Sequence, residues 1–83
     1  MKALYFSFVR EQVGKAEEDI SPPDHIRTVG ELMAWLASRD ENHAAAFANI
    51  TTLRAALDRT HVRHDALLGT AQEIAFFPPM TGG

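Results

Sequence analysis

The first strand that the sequence predicts is a short aromatic-rich run, residues 3–9, with the sequence Ala-Leu-Tyr-Phe-Ser-Phe-Val. β-branched and aromatic residues at this length favour a strand over a helix. Alternation gives the strand two faces that both carry apolar side chains, Ala3, Tyr5, Ser7 and Val9 on one and Leu4, Phe6 and Phe8 on the other. A small domain rarely covers both sides of its sheet, so one face is expected to meet a partner. The alternative is a strand that a loop covers on its second side.

The clearest helix begins at Thr28. Residues 28–31, Thr-Val-Gly-Glu, match a capping box, in which Thr28 accepts from the N–H of Glu31 and Glu31 reaches back. Helical spacing then continues with apolar residues at positions 29, 32, 33 and 36, which form one stripe. We expect this helix to end near residues 39–40, and Gly30 to cost about 1 kcal/mol relative to Ala.

The remaining segments predict shorter elements. Residues 10–14 fit a helical turn that Gly14 ends, 17–21 a second strand, and 43–48 one or two helical turns. Residues 53–57 have the composition of a helix or a strand, but two short strands, 53–57 and 61–63, around a turn fit better. Residues 67–70 form a turn, and 72–77 the last strand, with Ile74 and Phe76 on one face and Ala75 and Phe77 on the other. This order predicts an α+β fold in which one main helix packs across a mixed sheet.

The last eight residues, Phe-Phe-Pro-Pro-Met-Thr-Gly-Gly, organise this interpretation. Pro78 and Pro79 cannot continue a sheet ladder, and they stiffen the chain as it leaves the strand. Residues 80–83 can then reach roughly 13 Å, and two glycines without Cβ atoms can pass through a narrow channel. A frayed end is the alternative. The rigid approach favours a tail that is inserted into another protein, with residues 1–77 as the single domain and 78–83 as the tail.

Composition argues against several classes of function and location. A net charge of −3 and a pI near 5.7 argue against nucleic acid as a partner. The chain has no Cys, no signal-peptide pattern and no apolar run near the roughly 20 residues of a membrane span, so we expect a cytoplasmic location.

Catalytic and metal-binding patterns are missing from the body of the chain. Neither Gly-rich phosphate loop is present. His61 and His64 are three apart, so on a strand they face opposite sides and do not converge on a metal. The histidines are interpreted as surface residues, and the acidic pairs 17–18 and 40–41 as solvated surface. Any chemistry is therefore expected at the terminus or in a partner's site.

The chain resembles the small subunits of molybdopterin synthase, members of the ubiquitin-like MoaD/ThiS family of sulfur carriers. The resemblance covers nearly the whole chain. It rests on Leu4-Tyr5-Phe6, Val9-Arg10-Glu11 with Gly14, the Thr28 helix start, Leu53-Arg54-Ala55-Ala56-Leu57, and above all Glu73 to Pro79 followed by Thr81-Gly82-Gly83. It implies a β-grasp fold with an extended C-terminal tail. Two positions depart from the family: Thr70-Ala71-Gln72 replaces a usual Gly-Asp turn, and His61 stands where an apolar residue is common.

The resemblance also implies a mechanism. A partner adenylyltransferase, similar to ubiquitin-activating enzymes, would use ATP to adenylate Gly83, and a sulfur donor would leave a thiocarboxylate there. The tail, including Gly82, would carry that sulfur into the large synthase subunit, where it attacks cyclic pyranopterin monophosphate, within a heterotetramer of two small and two large subunits. This chain itself would bind no cofactor and no metal. The expected partner-binding residues are Leu4, Phe6, Phe8, Phe77, Pro78, Pro79, Met80 and Thr81.

Three other functions remain open at this point. A carrier of the same kind could deliver sulfur for thiamine thiazole or tRNA thiolation. The chain could instead be a protein modifier that joins Gly83 to a lysine, or a β-grasp interaction module whose tail has no chemistry.

Overall fold

Five strands and three helices form the described part of the chain, which in this computed structural model is residues 1–79. The strands are β1 (Lys2–Tyr5), β2 (Glu17–Asp19), β3 (Arg54–Leu57), β4 (Thr60–Val62) and β5 (Glu73–Phe77). The helices are α1 (Ser7–Val13), α2 (Val29–Ala37) and α3 (Glu41–Ala46), and a short 3-10 turn covers Ile50–Thr52. No helix within residues 1–79 is long and apolar enough to cross a bilayer.

The strands form one mixed sheet in the order β2-β1-β5-β3-β4. Strands β1 and β5 are parallel, and the other neighbouring pairs are antiparallel. The central strand β5 therefore joins the β1–β2 pair to the β3–β4 pair. The predicted α+β class with a mixed sheet is confirmed.

All three helices contribute to a core on one face of the sheet. Alternation along β1 and β5 turns Ala3, Tyr5, Ile74 and Phe76 toward this core, where each is at most 1% exposed. Helix α2 packs four apolar residues into the same cluster, and α1 adds Val9 and Val13. Burial of this contiguous apolar surface is the main source of stability in a domain of this size.

The prediction of a strand through Val9 is wrong in its second half. Strand β1 ends at Tyr5, and Ser7, with φ 54°, turns the chain into α1. Val9 and Val13 lie four residues apart and are both buried, which is the helical stripe that the alternating pattern concealed. Gly14 ends the helix in the left-handed conformation, φ 92°, as expected, but α1 is longer than the predicted single turn.

Helix α2 begins as predicted. The side chain of Thr28 accepts from the N–H of Glu31, and the Glu31 carboxylate accepts from the N–H of Thr28. The helix ends at Ala37, two residues before the expected end. Gly30 is more than a weak helix former, because its N–H donates to the His64 carbonyl at 2.7 Å and an added Cβ would lie 3.3 Å from that oxygen. The missing side chain lets the loop after β4 approach the helix closely.

The segment after α3 forms the predicted pair of short strands. Strands β3 and β4 are antiparallel and are joined by Asp58 and Arg59, which both have positive φ, 45° and 71°. This is the backbone of a type I′ hairpin turn. The Asp58 carboxylate also accepts from the backbone N–H groups of Gln72 and Glu73 at 3.0 Å, so the turn is tied to the start of β5.

Candidate functional site: the open sheet face and the root of the tail

Within residues 1–79 one face of the sheet carries no helix, and we call it the open face. The strand register places Leu4 beside Ala75, Ala75 beside Ala56, and Ala56 beside His61, all on this face. None of these four residues belongs to the core cluster. Phe77, one alternation beyond Ala75, packs its ring against His61 with centroids 5.2 Å apart. The open face therefore carries a mainly apolar row that crosses four strands and ends at His61.

Phe6 and Phe8 lie at the same end of the sheet but on different elements. Phe6 continues β1 with extended backbone, donates its N–H to the Phe76 carbonyl at 3.1 Å, and is 46% exposed. Phe8 is 39% exposed on α1 and not on the first strand. Leu4, Phe6 and Phe77 thus share the open face, as expected, whereas Phe8 extends the exposed apolar surface onto the neighbouring helix. Partner binding by these residues stays a prediction.

The tail begins at the centre of the sheet. Phe77 ends β5, and Pro78 and Pro79 follow without regular structure and are half-buried. Because β5 is paired on both sides, the starting point of the tail is held by two strands. The four predicted site residues Met80, Thr81, Gly82 and Gly83 lie outside the described residues.

A partly buried polar cluster lies on the core side of the sheet, and Tyr5 connects it to β5. Glu18 of β2 accepts from the Tyr5 hydroxyl at 2.7 Å, and its same oxygen, Oε2, lies 2.7 Å from Nε2 of His43. The other ring nitrogen of His43, Nδ1, lies 2.8 Å from Oδ1 of Asp40. Arg39 Nη1 adds a contact of 3.3 Å to Glu18 Oε1. Tyr5 in turn stacks on Phe76, one residue before the end of β5.

The electrostatics of this cluster favour ionised carboxylates. Burial raises the pKa of Glu18, but hydrogen bonds from His43 and Tyr5 and the charge of Arg39 together hold it below its ordinary value. The backbone and ring N–H groups of His43 lower the pKa of Asp40. Burial, with the hydrogen bond to Glu18, raises the pKa of Tyr5 far above its ordinary value. Each ring nitrogen of His43 therefore faces a carboxylate oxygen, Glu18 on one side and Asp40 on the other.

This cluster corrects two interpretations of the sequence. His43 is 3% exposed and not a surface residue, and the Glu18 side chain is only 10% exposed and not freely solvated. The pairing joins residues 25 positions apart in the sequence, so no local pattern contains it. Asp40 three residues before His43 was the available signal, because an Asp at that spacing caps a helix, and its side chain does accept from the N–H of His43.

The geometry offers no metal site within residues 1–79. No three His, Cys, Asp or Glu side chains there are arranged to hold an ion. The two nitrogens of His43 each face a different carboxylate, and Nε2 of His64 lies 2.9 Å from the Leu53 carbonyl. His61 packs on Phe77, so His61 and His64 serve different contacts.

A family model described as the ThiS family matches residues 3–83. The chain belongs to the ThiS family. Over all 83 residues it is 36% identical to the molybdopterin synthase sulfur carrier subunit of Escherichia coli, strain K12, of which the match covers 99%. The resemblance seen in the sequence is therefore confirmed.

Solved structures show the same fold for this ThiS-family chain. SAMP1 from Haloferax volcanii superposes with a TM-score of 0.72 and 20% identity, covering 100% of this chain and 98% of that one. A putative molybdopterin converting factor, subunit 1, from Pyrococcus furiosus gives a TM-score of 0.66 and 21% identity, with 95% of both chains covered. At these identities the likeness shows the fold alone, and it confirms the ubiquitin-like β-grasp class.

Proposed function

We propose that this ThiS-family chain is the sulfur carrier subunit of a molybdopterin synthase. The observation that carries the proposal is the full-length 36% identity with the Escherichia coli subunit of that name. The fold supports it, because the central strand delivers Pro78 and Pro79 beside an exposed apolar face. In this function the chain supplies a reactive sulfur and its position, and the catalytic groups belong to the partner.

The proposed chemistry takes place at Gly83. A carboxylate is a poor acyl donor because its leaving group would be oxide. A partner adenylyltransferase, similar to ubiquitin-activating enzymes, joins the Gly83 carboxylate to the α-phosphate of ATP and releases pyrophosphate. A sulfide-level donor then attacks the carbonyl carbon, AMP leaves, and Gly83 carries a thiocarboxylate. Its sulfur attacks a carbon of cyclic pyranopterin monophosphate and displaces an oxygen substituent there. Water then cleaves the acyl–sulfur bond, which leaves the sulfur on the substrate and restores the Gly83 carboxylate.

Docking in this proposal uses the apolar surface around the root of the tail. The proposed contacts of Leu4, Phe6, Phe8 and Phe77 place the domain on the large subunit, and residues 78–83, which span at most about 20 Å, reach into its active site. Exposed apolar side chains grouped in this way are typical of protein interfaces. We further propose a cytoplasmic heterotetramer of two small and two large subunits, in which this chain binds no cofactor of its own.

The test is a reconstitution with the activating enzyme, ATP, a sulfide source and the large subunit. We expect intact mass of this chain to show replacement of one oxygen by sulfur, followed by conversion of the pyranopterin substrate. Deleting Gly83 should abolish both while the far-UV circular dichroism and the thermal midpoint stay those of the parent chain. Asp24→Asn, a change at an exposed position in the loop before α2, serves as the control that keeps activity. Sulfur transfer by the Gly83 deletion would refute the mechanism.

The family match names no sulfur acceptor, so a carrier that serves another acceptor is the second candidate. The same assay separates these functions. A thiocarboxylate that forms but is not consumed by the large subunit would favour thiamine thiazole or tRNA thiolation, and lysine conjugates would indicate a protein modifier. Absence of any adenylate would indicate an interaction module.

A further inference from the structure

Two arginines lie together at the open end of the β3–β4 hairpin, opposite its turn and beside the start of the tail. Arg54 pairs with Phe77 across β3 and β5, and Arg63 follows β4 at the position next to Arg54. Both side chains line one shallow depression of the surface, with Thr51, Val62, His64 and Asp65. We call Arg54 and Arg63 the basic corner.

The basic corner is less neutralised than the other charges of the open face. At the opposite end of the sheet, Lys2 pairs with Glu17 at 3.2 Å and Arg59 with Glu73 at 3.6 Å. Within residues 1–79 Arg54 makes no ion pair. Arg63 has only Asp65, at 3.9 Å, and both side chains are at least 80% exposed, so this pair is weak. A protein with net charge −3 thus carries a local positive site where its tail begins.

The basic corner is continuous with the apolar surface. Arg54 is the direct neighbour of Phe77 across the strands, and the ring of His61 on β4 packs against the ring of Phe77. Interfaces of this kind have an apolar centre and a polar rim, and Arg is enriched in them. This arrangement places the basic corner on the rim of any interface whose centre includes Phe77.

We propose that the basic corner contacts carboxylates on the surface of the large synthase subunit, around the entrance through which the tail passes. This inference rests on the proposed function, and it adds the chemistry of the partner's rim. The substrate phosphate is the other anion to consider. When extended, residues 78–83 can separate Gly83 from Phe77 by about 20 Å. The basic corner beside Phe77 is therefore expected to contact the entrance of the large subunit's active site and not the substrate at Gly83.

Charge at a rim acts chiefly on association. Opposite charges steer two proteins together, raise the association rate at low salt, and lose their effect as ions screen them over a Debye length of about 8 Å at physiological salt. We therefore expect Arg54→Glu to slow association with the large subunit by roughly tenfold or more at low salt. The dissociation rate should change less, because the apolar centre is intact.

The experiment measures association by surface plasmon resonance with immobilised large subunit, at about 50 mM and about 500 mM NaCl. Arg59→Glu is the matched control, since it makes the same change on the same hairpin at the end away from the tail. Arg63→Glu and the milder Arg54→Gln test the corner a second time, and circular dichroism verifies each fold. We expect Arg54→Glu and Arg63→Glu to slow association at low salt far more than Arg59→Glu, and the difference to shrink at high salt.

The two proposals fail in different ways. Equal association rates for Arg54→Glu and Arg59→Glu, with the parent chain binding normally, would overturn the basic corner and leave the proposed function standing. A slowing that persists undiminished at high salt would also overturn it, since the effect would not be electrostatic. If the parent chain does not bind the large subunit, the proposed function fails and this inference fails with it.

Discussion

Replacing Glu18 by Gln should destabilise the domain strongly, although only one atom of the side chain changes. Glu18 accepts short hydrogen bonds from Tyr5 and His43, both at 2.7 Å, on a side chain that is 10% exposed. A bond to a charged group contributes about 1.5–3 kcal/mol and a neutral one about 0.5–1.5 kcal/mol, so neutralising the acceptor weakens both bonds. The amide NH2 introduced by Glu18→Gln would also face hydrogen-bond donors such as Tyr5 and Arg39, so donor would lie against donor. We expect a loss of about 2–4 kcal/mol, out of roughly 4–12 kcal/mol for a domain of this size.

Urea unfolding at pH 7, followed by the fluorescence of the single tryptophan Trp35, measures this loss. The matched control is Glu17→Gln, the same change one residue earlier, where the side chain is 55% exposed and pairs with Lys2 on the surface. It should leave the midpoint almost unchanged. Equal midpoints for Glu18→Gln and Glu17→Gln would refute the view that the buried cluster stabilises the fold.

In Glu18→Gln the free energy of unfolding should also depend less on pH in acid than in the parent chain. Burial raises the pKa of Glu18, but the hydrogen bonds from His43 and Tyr5 bring it below the ordinary value of 4.5. A carboxyl whose pKa is lower in the folded state contributes stability above its unfolded pKa, and this contribution is lost as the pH falls through the folded pKa. The free energy of unfolding should therefore decline below about pH 5, and more steeply in the parent chain than in Glu18→Gln. Parallel pH profiles would contradict this assignment.

Two further predictions concern substitutions that remove or introduce a glycine. Gly30→Ala should fail to give the roughly 1 kcal/mol that helix propensity predicts, and should instead destabilise, because the new Cβ would press on the His64 carbonyl at 3.3 Å; a raised thermal midpoint would show that the loop gives way freely. Arg59→Gly should stabilise by about 0.5–1 kcal/mol, because Arg59 has φ 71° and Asp-Gly suits a type I′ turn; a lowered urea midpoint would contradict this strain.

The sequence predicts most elements here because their signals are local. The capping box at Thr28 and the left-handed Gly14 depend on residues within one turn, and both were found where expected. The pair of short strands after residue 53 was identifiable because no caps supported a helix. The end of β1 was not identifiable, because alternation over residues 3–9 is compatible with one long strand and with a short strand followed by a helix. The left-handed conformation of Ser7 ends the strand, and no sequence pattern indicates it.

The site was only partly predictable for the same physical reason. Phe77 and Leu4 were placed on one face by alternation, and the register agrees. The cluster of Tyr5, Glu18 and His43 forms between three elements that are far apart in sequence, so its members look like ordinary strand, surface and helix residues. The basic corner likewise exists only because β3 and β4 are paired.

The central place of β5 has a consequence for how the sheet assembles. Before this segment is available, β1 with β2 and β3 with β4 are two separate ribbons that share no ladder, because each is bonded only to β5. Completing the sheet requires one strand to insert between them with partners about seventy and twenty positions earlier in the chain. Chains interrupted before Glu73 would therefore leave two unsatisfied ribbon edges, which are templates for aggregation and targets for proteolysis.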